Sequence, residues 1–204
     1  MLGRKRAPST VAEDAARDAV SRVLRADGVL AVTAERVGRE LGVDAAAVSA
    51  SVDLDVVVAD AYRALGVAEM AEVKRTILAN PSPVEQMRSL LSWLSTAPEE
   101  GDAIRLEAWA STRRNPHLRR VVQDGEAAWH GLVASVVRRG ARSGHFMDAD
   151  ADEIAAHLIS LIDGINAYQL IGYRSDLDRM RLLTRVVQAE LGLAWGPALE
   201  DALS

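Results

Sequence analysis

The 204-residue chain contains no cysteine, one phenylalanine and only 4% aromatic residues in all. Without cysteine there is no disulfide framework, no thiolate nucleophile and no Cys-ligated zinc or iron–sulfur site. No run of about 18 apolar residues is free of charge, which excludes a membrane-spanning helix. The opening Met1-Leu2-Gly3-Arg4-Lys5-Arg6 leads into a helical pattern rather than an apolar signal core, so a cytoplasmic protein with no membrane partner is expected. Segments in which β-branched residues alternate with polar ones are absent too, and with them the signature of a sheet. The G-x-S-x-G, P-loop and G-x-G-x-x-G patterns do not occur. His117, His130, His145 and His157 lie 12 or more residues apart, with no H-x-x-x-H spacing. An enzyme, a metal site and a bound cofactor are therefore not expected.

What is present is a globular composition, 49% hydrophobic and 26% charged, with a net charge of -5 that is unevenly spread. Residues 1–52 carry eight basic and seven acidic side chains, a balance of +1; the other 152 carry 16 basic and 22 acidic, a balance of -6. A basic arm thus precedes an acidic body.

The recurring periodicity is helical, and it predicts an all-α protein of about nine helices. Thr10-Val11-Ala12-Glu13 fits a capping box, followed by one apolar face of Ala16, Ala19, Val20, Val23 and Leu24, with Asp27-Gly28 as the stop. Thr33 is a candidate N-cap for a short helix ending at Gly42. Val43 and Asp44 separate it from a third short segment, Ala45 to Val52. Asp53 can cap a long helix running to the Asn80-Pro81 stop. Further starts are legible at Ser82-Pro83-Val84-Glu85, Thr96-Ala97-Pro98-Glu99, Asn115-Pro116, Asp150-x-x-Glu153 and Asp176. The helix from Asn115-Pro116 is expected to end at Gly140 or Gly144, the next near Tyr173 and the last near Gly192.

The order helix, short helix, tight turn, short helix, marked by Gly28, Val32-Thr33, Val37-Gly38 and Leu41-Gly42-Val43-Asp44, resembles the DNA-binding domain of the tetracycline-repressor (TetR) family of transcriptional regulators. The later segments Leu106-Glu107-Ala108-Trp109, Arg114-Asn115-Pro116-His117-Leu118-Arg119, Trp129, Gly140-x-x-x-Gly144-x-Phe146 and Leu161-Ile162-Asp163-Gly164 stand in the order typical of that family's regulatory domain. The resemblance implies a helix-turn-helix head over residues 1–55 and a helical-bundle domain over 56–204 for ligand binding and dimerisation, with residues 53–79 as the connecting helix. It implies a ligand-responsive regulator, a repressor, that binds double-stranded operator DNA as a homodimer and is released by a small apolar or amphipathic effector. The alternative is the same fold with weakened or lost DNA binding, acting as a ligand-binding or protein-interaction module.

The alternative has a chemical basis. The Tyr, Phe and Lys that family members usually carry in and after the recognition helix are replaced here by Ser49, Val52 and Asp55, and Asp44–Asp55 holds three Asp and no Lys or Arg. Candidate DNA contacts are the arm Arg4, Lys5 and Arg6 in a minor groove, Thr33 and Arg36 at phosphates, Ala45 and Ala46 against thymine methyls, and Ser49 and Ser51 as hydrogen-bonding groups. For the effector, Trp93, Trp109 and Trp129 are candidate lining residues, with ordinary core filling as the other reading. His130, His157 and Asn166 resemble positions from which family ligand contacts come. The segment Ile154 to Tyr173 and the last helix place apolar groups on more than one face, which either a four-helix dimer interface or a thicker monomeric core would bury.

Overall fold

A computed structural model of the chain describes residues 12–96, 99–173 and 179–193. Among these residues there are nine helices and no strand: α1 (Glu13–Asp27), α2 (Ala34–Leu41), α3 (Ala45–Ser51), α4 (Leu54–Leu78), α5 (Pro83–Thr96), α6 (Glu99–Ser111), α7 (Pro116–Arg142), α8 (Ala151–Leu170) and α9 (Arg179–Leu191). The chain packs as two units, Met1–Val67 with Ala103–Asp124, and Ala68–Asp102 with Gly125–Ser204. The first unit extends beyond the 1–55 outline read from the sequence. The start of α4, the end of α6 and the start of α7 pack around the helix-turn-helix core, with Val57, Ala108, Leu118 and Val121 in one cluster with Val20, Val37 and Val48.

In the first unit, α1 buries Ala16, Ala19, Val20, Val23 and Leu24, the face its 3-4 spacing marks out. Its start differs from the expected capping box. The N-cap is Ala12, with no side-chain cap, and Thr10 lies outside the described residues. Glu13 is instead held by Arg17 at 2.7 Å, an i,i+4 pair that takes the carboxylate a capping box would turn back. Thr33 caps α2 by accepting from the Arg36 amide at 3.1 Å, and α2 ends on Gly42 in the left-handed region at φ 69°. That turn costs a glycine little and a side-chain-bearing residue about 1 kcal/mol, which is why the α2–α3 corner falls there. Asp44 then caps α3 by accepting from Ala47 N at 2.7 Å. The third helix stops at Ser51, one residue short of expectation, because Val52 is extended at φ -144°.

The second unit is built on Met87, Leu90, Val133, Val137, Leu158, Ile162, Leu183 and Val187, all at most 2% exposed. Burial of each such side chain stabilises by about 1.5–3 kcal/mol. Asn80 accepts from the Ser82 amide at 3.1 Å, and α5 begins on Pro83. Asp150 caps α8 through the amides of Asp152 and Glu153, and α8 ends at Leu170, three residues before Tyr173. The Phe146 ring lies directly against Gly140 on α7, and α7 ends at Arg142. The Thr96–Glu99 capping box and the Asp176 start fall on positions whose structure or side chains lie outside the described set. No described helix is long and apolar enough to cross a membrane.

Candidate nucleic-acid interface and ligand-binding residues

The seven residues of α3 span about 10 Å, short enough to enter a major groove end-on. Ala47 and Val48 are buried in the core of the first unit, which fixes which face turns outward. Ala46, Ser49 and Ala50 are exposed and Ala45 is half-buried. Ser51 points elsewhere: its hydroxyl donates to the Ala47 carbonyl at 2.7 Å. Two of the three aspartates in this stretch act as helix-start acceptors, Asp44 for Ala47 N and Asp53 for Asp55 N at 3.0 Å. Their presence therefore has a local structural cause. Their charges still stand beside α3.

Arg36 is placed on the bracing helix, as expected, but its guanidinium is engaged. It donates to Asp27 at 3.0 Å and to Glu40 at 3.1 Å, and Glu40 also accepts from Arg22 at 3.0 Å. Hydrogen bonds from Arg22 and then Arg36 hold the Glu40 carboxyl below its ordinary range; those from Glu40 and then Asp27 raise Arg36 above its own. This network ties α1 to α2. Thr33 is exposed, with its oxygen committed to the α2 cap. Arg4, Lys5 and Arg6 lie outside the described residues.

Two contacts fasten α6 and α7 to the segments flanking the helix-turn-helix, one before α2 and one after α3, and neither was singled out from the sequence for this role. Glu107 on α6 accepts from the Leu30 amide at 3.0 Å. Its carboxylate lies against Gly28, where a β-carbon would overlap it, and Gly28 is held at φ 89°, ψ 175°. Asn115, only 5% exposed, accepts from Leu118 N at 2.8 Å and donates to the Asp55 carbonyl at 2.8 Å. One side chain thus caps α7 and joins it to α4. A cleft of about 740 Å³ opens between these parts, lined by Val29, Leu30, Val32, Leu54, Asp55, Arg113 and Arg114 among others.

The candidate effector residues divide between the units. Trp93 and Trp129 are half-buried against the core of the second unit, while Trp109 packs on the core of the first, with Arg105 5.9 Å from its ring centre. His130 is half-buried, and His157 is exposed with its Nδ1 3.3 Å from Glu190. Asn166 is 3% exposed and donates to Asp102, itself 6% exposed, at 2.8 Å. Asp102 and the fully buried Gln86, whose Oε1 has no partner among the described residues, were not legible from the sequence. On a mixed helix a polar residue reads as solvent-facing, and only packing reveals its burial. No group of three metal-ligating side chains occurs among the described residues.

Residues 83–192 match the C-terminal domain of BetI-type transcriptional repressors. The chain belongs to the TetR family of transcriptional regulators. Solved structures share the fold. A transcriptional regulator from Saccharomonospora viridis in complex with choline superposes with a TM-score of 0.75 at 22% identity, over 87% of this chain and 96% of that one. A TetR transcription regulator from Haloarcula marismortui gives 0.69 at 21% identity, over 87% and 97% of the two chains. FadR from Bacillus subtilis in complex with stearoyl-CoA gives 0.63 at 13%, over 88% and 98%. No curated protein matches the sequence.

Proposed function

We propose that this TetR-family regulator is a repressor that binds operator DNA as a homodimer and is released by a small amphipathic effector. The observation that carries the reading is a BetI-type regulatory domain joined to a helix-turn-helix whose third helix buries Ala47 and Val48 and exposes Ala46, Ser49 and Ala50. Ala45 and Ala46 would contact thymine methyls, and Ser49 a base edge or phosphate. Thr33 at the start of α2 and the arm Arg4, Lys5 and Arg6 would contact the backbone. Ser51 and Arg36, each engaged within the fold, support the motif instead of touching DNA.

Dimerisation is supported at and just after the end of α8, where three large side chains, Tyr168 (49% exposed), Ile171 (75%) and Tyr173 (56%), stand open. We assign effector binding to the second unit, with Trp93 and Trp129, which pack on its core, as apolar contacts and His130, His157 and the Asn166–Asp102 pair as polar ones. Trp109 is assigned to the core of the first unit. Choline, bound by the Saccharomonospora viridis neighbour, is the first effector to try. Since α4, α6 and α7 carry residues of both units, an effector that shifts α6 or α7 acts on Leu30 through Glu107 and on Asp55 through Asn115.

The test is binding to DNA from the protein's own promoter, with unrelated DNA as control, across about 50–200 mM salt. Preference for the promoter that weakens steeply with salt, and release on adding effector, is the expected result. Equal binding to both DNAs, or none, would replace this reading with the second one. That reading has its own observation: the three aspartates and no cation of Asp44–Asp55 oppose a polyanion.

A further inference from the structure

The most basic part of the described structure lies outside the helix-turn-helix. Between residues 108 and 123 there are four arginines, Arg113, Arg114, Arg119 and Arg120, and no Asp or Glu. All four are exposed. Arg119 donates to the Thr112 carbonyl at 3.1 Å and so braces the α6–α7 turn, and Arg120 lies 3.2 Å from His117 Nδ1 within α7. The guanidinium groups of Arg113 and Arg114 have no partner among the described residues. In a chain of net charge -5, two unneutralised cations side by side on a turn mark an anion-facing surface.

The packing says where that surface lies. Arg113 and Arg114 line the same cleft as Val32, which precedes the α2 cap Thr33, and as Leu54 and Asp55, which begin α4. The turn is fixed there by Asn115, which donates to the Asp55 carbonyl at 2.8 Å, and by Glu107, which holds Leu30. When a helix-turn-helix seats its second helix in the major groove, the elements flanking that helix rest on the phosphate backbone. Here those flanks are the starts of α2 and α4. The α4 start offers Asp55 and no cation, and the cationic groups that line the cleft are on the α6–α7 turn.

We propose that Arg113 and Arg114 form a phosphate-gripping corner that extends the DNA contact of this protein beyond its helix-turn-helix. The corner supplies sequence-independent, electrostatic affinity that the acidic stretch Asp44–Asp55 lacks. Asp55 shares the cleft, and its single carboxylate is outnumbered by the guanidinium groups of the turn. This inference rests on the DNA binding proposed above.

The experiment compares the full-length protein with R113A/R114A and with a charge-matched control, R139A/R142A, whose arginines lie in the last turn of α7. Binding to promoter DNA and to unrelated DNA is measured against salt. With each phosphate contact worth about 0.9 in the slope of log affinity against log salt, R113A/R114A should flatten the slope by about 1.8. The loss in affinity should be the same on both DNAs, R113K/R114K should restore the slope, and R139A/R142A should leave it unchanged. Thermal unfolding of R113A/R114A should match wild type, since neither side chain has a partner to lose. A wild-type slope in R113A/R114A, or equal flattening in R139A/R142A, overturns the corner while leaving operator binding intact. A wild-type protein that binds no DNA overturns both.

Discussion

Replacing Gly28 by alanine tests whether Glu107 and the α1–α2 loop act as one fastening. The backbone at Gly28, φ 89° and ψ 175°, lies in a region that is essentially glycine's alone, so a β-carbon there costs about 1–3 kcal/mol. The same β-carbon overlaps the Glu107 carboxylate and displaces it from the Leu30 amide. That hydrogen bond is solvent-exposed, and its loss adds about 1 kcal/mol. Gly28→Ala should therefore cost about 3 kcal/mol, taking the middle of the strain range. Glu107→Ala, which loses only the bond, should cost about 1 kcal/mol. In the double variant the bond can be lost only once, so the total should stay near 3 kcal/mol where additive behaviour gives about 4. Urea unfolding followed by far-UV circular dichroism measures all three. A coupling of about 1 kcal/mol exceeds the roughly 0.3–0.5 kcal/mol scatter expected of independent sites. Additive losses, or a Gly28→Ala variant as stable as wild type, would refute the argument.

Two further outcomes follow from single side chains. Asn115→Ala removes both the cap of α7 and the tie to Asp55 and should destabilise by about 2 kcal/mol, whereas Asn115→Asp keeps the cap acceptor, loses the donor and should cost about half as much; thermal unfolding of the pair checks the order, and equal losses would refute it. Glu40 is held below its ordinary range by Arg22 and Arg36, so its folded pKa lies under its unfolded one and its stabilisation is present above the unfolded value. The melting temperature of Glu40→Gln should therefore lie below wild type at pH 7, and the gap should close as pH falls below about 4, through the folded value of Glu40. A gap that stays constant between neutral and acidic pH would show that the network does not act through the charge of Glu40.

Much of the fold was legible because its signals are local. The buried face of α1, the Thr33 cap, the Gly42 corner, and the Asn115 and Asp150 starts each depend on residues three or four positions apart, and the structure shows them where the spacing put them. The capping box at Thr10–Glu13 was misread for an equally local reason, since α1 takes Ala12 as its N-cap, which puts Glu13 at the first helical position and within reach of Arg17 one turn on. Of the α3 residues named from the sequence as candidate contacts, Ala46 and Ser49 are exposed and Ala45 is half-buried. That Ser51 folds back on Ala47, and that Arg36 is engaged by Asp27 and Glu40, could not be read from the sequence.

The sequence by itself determined the helical class, the positions of most helix starts and the family resemblance, because hydrophobic periodicity and caps are properties of a short stretch of chain. Tertiary structure alone decided which helices share a unit, that Trp109 packs with the head while Trp93 and Trp129 pack with the body, and that Asp102 is buried beside Asn166. It also brought Glu107 to Leu30 across 77 residues and Asn115 to Asp55 across 60. Those pairings follow from how apolar faces of separate helices are buried together, and no spacing along the chain encodes them.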